Sequence, residues 1–262
     1  DGMACFRARH GWTLVNNHEI DGTEDHFVPA MAGYTYDPAA SGGTTTIEVD
    51  RDGRRIREYV SLAGTHNNCA GGVTPWNTWL SCEESEGRAG GKFTKEHGYV
   101  FEVDPHDREA NRDPVPLKFL GRYAHEAVAI DPDTYTIYLT EDAAAPQGLY
   151  YRWTPPKKFA GGKGALRSLA QTPHGATAGT LEAMRCSTLG GDHVAQLSEA
   201  REAGTRYRVS WVDVPERDGR HIPVRAQFGS DRVTRSRKLE GQWWGDGGVY
   251  FVASYARTER DR

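Results

Sequence analysis

GTHNNCAGGVTPWNTWLSCEE, residues 64–84, carries both the fold signal and the chemistry of this chain. Its second half reads as a turn at Pro75 and a short apolar strand, Trp76 to Leu80, that runs out into Glu83 and Glu84. Its first half sets an amide pair (Asn67, Asn68), a thiol (Cys69) and a flexible Gly71-Gly72 step before that strand. Glycines let backbone come close to a ligand, and Asn, Cys and Glu are ion-binding groups. Taken alone, Cys69 reads as a buried thiol. The mixture around it points to a bound ion.

Working outward, the same phrase returns. Trp12 to Val15 leads to Asn17, His18 and Glu19; Ile137 to Leu139 leads to Glu141 and Asp142; Val249 to Val252 leads to Ser254. A second set of β-branched and aromatic runs ends in Asp, Thr or Pro: Thr46 to Asp50, Gly98 to Pro105, Gly148 to Pro155 and Tyr207 to Pro215. A two-strand phrase recurring every ~40–60 residues marks a repeat architecture, and β-propeller blades have this size. The expected fold class is therefore all-β: a β-propeller of about six blades in the complete protein, with short helical insertions. In that fold the acidic ends of the innermost strands converge at one mouth. The competing reading is a β-sandwich whose acidic strand ends are merely solvated.

One domain is expected over residues 1–262, trimmed at both ends, because Val249 to Val252 has no partner phrase behind it and Asp1-Gly2-Met3 does not open on an initiator Met. Residues 157–206 read as an insertion or a decorated blade edge, with Ala165 to Ala170 and Thr180 to Met184 as short helices. The run Gly161 to Gly164 is not a P-loop, since GxxxxGK[ST] is absent.

Composition bounds the function. Thirteen prolines and thirty glycines favour short strands and tight turns over long helices. A net charge of -4 argues against nucleic acid or an anionic membrane as the main partner. No apolar run reaches the roughly 20 residues that span a bilayer. The four cysteines (Cys5, Cys69, Cys82, Cys186) show no CxxC spacing, which speaks against a zinc knuckle; a Cys5–Cys186 disulfide is an open alternative.

The strand ends collect Glu19, Glu83, Glu84, Glu126, Glu141, Asp142 and Glu240. Carboxylates within ~4 Å of one another cost about 4 kcal/mol per like-charge pair at an effective dielectric near 20, so such a cluster binds cations or keeps protons. Oxygen ligands suit calcium, and one thiolate suits a softer ion such as iron or zinc. A mixed site follows: a transition metal near Cys69, with calcium on carboxylates and on Asn17 or Asn68. His18 and His125 are scaffold or ligand. Arg122, Arg237 and Lys238 either screen the acids or bind an anionic substrate above the metals. No GxSxG stands in the chain, so a serine nucleophile finds no support.

These residues resemble the PhoX-type alkaline phosphatases, secreted bacterial phosphatases that depend on calcium and iron. The resemblance rests on Asp1 to Met3, Leu14 to Glu19, Asn67 to Glu84, His97 to Asp104, Gly121 to Glu126, Tyr138 to Asp142, and Leu239 to Phe251, with residues 157–206 poorly covered. It implies a propeller whose mouth holds ferric ions (Fe3+) and calcium (Ca2+) bridged by an oxo group. It also implies Cys69, Glu19, Glu83, Glu126 and Glu240 as metal ligands, beside Asn17, Asn68 and Asp142 from the reading above. Lys238 stands where the family usually has Arg, two residues before the Glu of the Leu-Glu-Gly phrase, with Arg237 next to it. A point charge thus replaces a bidentate fork.

The expected activity is hydrolysis of small phosphate monoesters, with Lys238, Arg237 and Arg122 as the catalytic cations and Lys238 and Arg237 binding substrate. The expected protein is a periplasmic or extracellular monomer. The alternatives are a calcium-dependent propeller lactonase or phosphotriesterase, and a calcium-stabilised binding propeller without catalysis.

Overall fold

The computed structural model describes residues 1–254, so the part of the single-domain expectation that falls on 255–262 lies outside the described residues. Sixteen strands and one six-residue α-helix make up its regular structure, apart from short 3-10 turns. In chain order the strands are β1 (Met3–Ala8), β2 (Gly11–His18), β3 (Gly42–Asp50), β4 (Arg55–Thr65), β5 (Asn68–Val73), β6 (Trp79–Glu83), β7 (Val100–Val103) and β8 (His125–Ile130). There follow β9 (Ile137–Glu141), β10 (Gly148–Thr154), helix α1 (Ala165–Ala170), β11 (Thr180–Ser187), β12 (His193–Val194), β13 (Arg208–Asp213), β14 (Arg235–Ser236), β15 (Leu239–Gly245) and β16 (Gly248–Ala253). The all-β expectation holds in this form.

Four antiparallel sheets follow one another along the chain: β1-β2-β3-β4, then β5-β6-β7, then a seven-stranded sheet with the path β12-β11-β10-β9-β8, and last β15-β16. In the seven-stranded sheet β13 pairs with β11 and β14 with β10. The described strands do not join into a closed barrel. Strand β2 buries one face by period-2 alternation, with Thr13, Val15 and Asn17 inward and Trp12 exposed, whereas β6 and β8 are buried on both faces. Phe6, Val15, Trp79 and Phe101 pack the first sheet on the second. Leu80, Val100, Val128, Leu139 and Trp153 join the second to the third. Tyr150, Met184 and Leu239, with Phe251 against them, join the third to the last hairpin.

Two expectations are corrected here. Thr180 to Met184 is strand, not helix, because Leu181 and Ala183 alternate inward with Thr180 exposed and Glu182 only half-buried. Strand β11 therefore sits inside the seven-stranded sheet, between β10 and β13, while the expected helix at Ala165–Ala170 forms. The run Val249 to Val252 lies in β16, which pairs with β15 before it. All four cysteines are free thiols, so no Cys5–Cys186 bridge forms.

The first strands of the four sheets, β1, β5, β8 and β15, lie side by side in that order. Close approach is possible because Gly72 has no side chain: a Cβ there would overlap the Val128 carbonyl oxygen of β8. Backbone bonds tie β1 to β5 in the same way, with Gly2 N–H donating to Cys69 O at 2.9 Å.

Candidate active site

The hairpin register decides which side chains meet. In β5–β6 Asn68 pairs with Glu83; in β8–β9 His125 pairs with Glu141; in β15–β16 Leu239 pairs with Ala253. One step further along each strand, the side chains point to the other face of the pleat. That step gives Cys69 with Glu84, Glu126 with Asp142, and Glu240 with Ser254. The β1–β2 hairpin contributes Asp1 and Glu19 in the same sense, since Asn17 N–H donates to Gly2 O at 2.8 Å.

These residues converge. Donor atoms lie within 4.8 Å of one another in three groups: Asp1–Glu19–Cys69, Cys69–Glu84–Glu126, and Glu126–Asp142–Glu240. Cys69 and Glu126 each belong to two groups, which makes the three a single chain of donors. The Ser254 hydroxyl donates to Glu240 Oε1 at 2.6 Å and extends the same alternation.

Protonation follows from this crowding. The Cys69 thiol donates to both carboxylate oxygens of Glu126 at 3.2 Å, and burial with the Glu126 charge pushes that thiol well up. Burial, with the charges of Glu84, Glu240 and Asp142, raises Glu126 to about 8, although its bond from Cys69 works the other way. Burial and the Asp142 and Glu19 charges raise Glu84 to about 7. Carboxyls that stay protonated near neutrality are what an acidic cluster shows without a cation.

A cavity of about 480 Å³ opens beside the cluster, lined by Glu84, Asp142, Ala143, Ala144, Arg237 and Lys238. The Lys238 ammonium lies 2.5 Å from Asp142 Oδ2 and 3.6 Å from Glu240 Oε1. Its hydrogen bond to Asp142 keeps it firmly protonated. Both expected substrate-binding cations thus border one cavity with two of the acids.

Other expected site residues stand behind this surface. Glu83, adjacent to Glu84 and so on the opposite face, accepts bonds from the His66, Gly98 and Tyr99 N–H groups and meets His97 Nδ1 at 2.7 Å. His97 also meets Asp37 Oδ2 at 3.2 Å, so a buried Asp37–His97–Glu83 relay fixes the end of β6. Asn17 spends its whole amide on scaffold. Its N–H groups donate to Cys69 O and Ala70 O, and its oxygen accepts from Trp79 Nε1 and Ser81 Oγ. Asn68 accepts from Thr65 Oγ1 and donates to Ser81 Oγ.

Arg122 is buried, with its guanidinium on the Asp218, Glu86, His97 and Gly219 carbonyls. Glu141 meets Arg225, Tyr151 Oη and Leu149 N–H. His125, pushed down to about 3 by burial, meets the Gly121 carbonyl, and His18 meets Thr45 Oγ1. None of these side chains belongs to the three donor groups.

Glu83→Gln is therefore expected to cost about 3–5 kcal/mol of stability, because it unpairs a buried charge network. Urea unfolding measures it, and a loss below about 1 kcal/mol would contradict the positioning role. Asp1 is the one donor that sequence reasoning missed; a single acid ahead of a strand carries no pattern of its own.

Comparison with known families now bears on this geometry. The family described as alkaline phosphatase PhoX matches residues 53–262. The chain belongs to that family. PhoX membership makes it a phosphoric monoester hydrolase acting on small phosphorylated substrates. The matched span contains Cys69, Glu84, Glu126, Asp142, Lys238 and Glu240, while Asp1 and Glu19 precede it. No curated protein matches the chain. Among the described residues no helix is long and apolar enough to cross a membrane.

Proposed function

We propose that this PhoX family member hydrolyses phosphate monoesters at a mixed iron and calcium cluster held by the chain of donors, in the mouth of a β-propeller. The observation that carries the reading is the sharing of Cys69 and Glu126 between successive donor groups, next to a cavity bordered by Lys238 and Arg237. The donor set fits those ions. One thiol among carboxylates suits iron at Cys69, and oxygen-only donors suit calcium at Glu126, Asp142 and Glu240. The raised carboxyls of Glu84 and Glu126 agree, because a cation would remove the repulsion that keeps their protons on. Hairpins whose first strands lie side by side in chain order support the propeller, each delivering one donor at the start of its first strand and one past the end of its second.

When bound, the metals supply Lewis acidity at the phosphoryl oxygens and lower the pKa of water. The chain does the rest. Lys238 and Arg237 bring positive charge to the phosphate and offset charge building on its equatorial oxygens. Ala143 and Ala144 give the cavity a small apolar wall that leaves room for varied alcohol groups. Glu83, Asn17 and Asn68 hold the strand ends still, which keeps attack in line. A periplasmic or extracellular location fits a family whose members are generally exported.

Elemental analysis with a p-nitrophenyl phosphate assay tests the reading. Iron together with calcium, a visible ligand-to-metal band and hydrolysis lost on chelation are expected. Full hydrolysis by the chelated protein would overturn it. Calcium alone, with lactone rather than phosphate turnover, would do the same.

A further inference from the structure

The Glu126–Asp142–Glu240 group has an ammonium seated against two of its acids. Nζ of Lys238 sits 2.5 Å from Asp142 Oδ2 and 3.6 Å from Glu240 Oε1, two of the three residues whose oxygens make up the group. The Lys238 charge also reaches Glu84 of the adjoining group. An ammonium is a compact point charge with three donors, so between two carboxylates it does electrostatically what a metal ion does.

The backbone is bent to put it there. Lys238 has φ +50°, a left-handed conformation that residues other than glycine adopt only at a cost. The side chain is also able to leave. It is 46% exposed and borders the cavity shared with Arg237, whereas the Asp142 side chain it holds is only 10% exposed.

We propose that Lys238 is a built-in counter-cation that holds the place of a divalent ion between Asp142 and Glu240. The third donor group then fills only when Lys238 swings out into the cavity. This rests on the metal-centre reading above and deepens it. The Cys69 groups load first and tightly, the Glu126–Asp142–Glu240 group last and weakly. Loading of that last calcium delivers the Lys238 ammonium to the space where phosphate binds. Metal occupancy and substrate affinity are thereby coupled through one side chain, and each must strengthen the other. An Arg at this position would not act alike, because its planar fork cannot concentrate its charge at one point between the two oxygens.

The test is calcium titration by calorimetry on the iron-loaded full chain, wild type against Lys238→Gly. Glycine adopts φ +50° without strain, so the variant removes the cation and keeps the loop. Wild type is expected to show one weak calcium step, and Lys238→Gly to tighten that step by at least about tenfold. A second readout is amine acylation at Lys238 followed by peptide mapping, slow without calcium and faster once calcium is added. Equal calcium affinity and stoichiometry in the two proteins, with acylation indifferent to calcium, would overturn the proposal. Failure of both proteins to bind any calcium or iron would instead remove the metal centre, and this inference with it.

Discussion

Glu126→Ala is expected to lower p-nitrophenyl phosphate turnover by at least about a thousandfold, roughly 4 kcal/mol of transition-state stabilisation, while the protein stays folded. The size of the effect follows from position. Glu126 is the one carboxylate shared by two donor groups, and its oxygens also accept the Cys69 thiol. Removing it breaks the chain of donors at its middle, so two cation positions lose a ligand at once. Cys69→Ala shares this position, and Glu240→Ala removes a ligand from one group only; the smaller loss is expected for the latter.

Folding survives for a physical reason. The Glu126 carboxyl is held protonated near neutrality without a cation, so its loss from the metal-free protein removes a desolvated acid and not a satisfied ion pair. The control is Glu83→Gln, which spoils packing behind the site. Near-universal loss of activity with unchanged urea midpoint and reduced bound metal identifies Glu126 as a ligand; retained activity with full metal content would sink the assignment.

The contrast between Glu83 and Glu84 shows how far the sequence could be read. An apolar run followed by acids is visible in one dimension, so Glu19, Glu84 and Asp142 stand out at the ends of β2, β6 and β9. Which of two adjacent acids faces the site depends on strand register, and nothing local fixes that. The resemblance selected Glu83, and the register turns Glu84 to the cluster. Glu126 and Glu240, read from the sequence as strand-end acids, sit with Cys69 at strand starts, ahead of their apolar runs. Their residue types were legible, but their place at the first residues of a strand was not. Strand β5 is hard to see for a related reason: Ala70, Gly71 and Gly72 are small residues that permit close approach between strands, so they lack β-branched bulk. Asn17 and Asn68 are ion-binding types by chemistry, yet buried amides are just as well satisfied by backbone and hydroxyl partners, and here they are.

Stripping the metals should make the protein less stable as pH rises from 6.5 to 8.5, opposite to the behaviour of an ordinary carboxylate-stabilised fold. Glu126 and Glu84 have folded values near 8 and 7 against an ordinary 4.5, so the folded metal-free state binds more protons than the unfolded one between those limits. Their contribution is fully present below 4.5 and is lost as pH climbs through the folded values. Buried Glu141, also raised to about 7, adds to the same slope, and so does His97, raised by its bonds to Glu83 and Asp37 against the opposing effect of burial. His18, His66 and His125 are lowered by burial and act in the opposite sense, but only below their ordinary 6.5. The interval above 6.5 is therefore the diagnostic one. Each pH unit across it costs about 1.4 kcal/mol for every group still protonated in the folded state alone. Added metal is expected to reverse the slope, since a cation takes the place of those protons and binds better as they leave. The measurement is Tm by calorimetry at pH 6.5, 7.5 and 8.5, chelated and metal-loaded, with Glu126→Gln as control. A falling Tm in the chelated wild type, flattened by the Gln variant and lifted by metal, is the expected pattern. A chelated Tm that holds level or climbs over this interval would mean that the carboxyls are not crowded as the geometry has them.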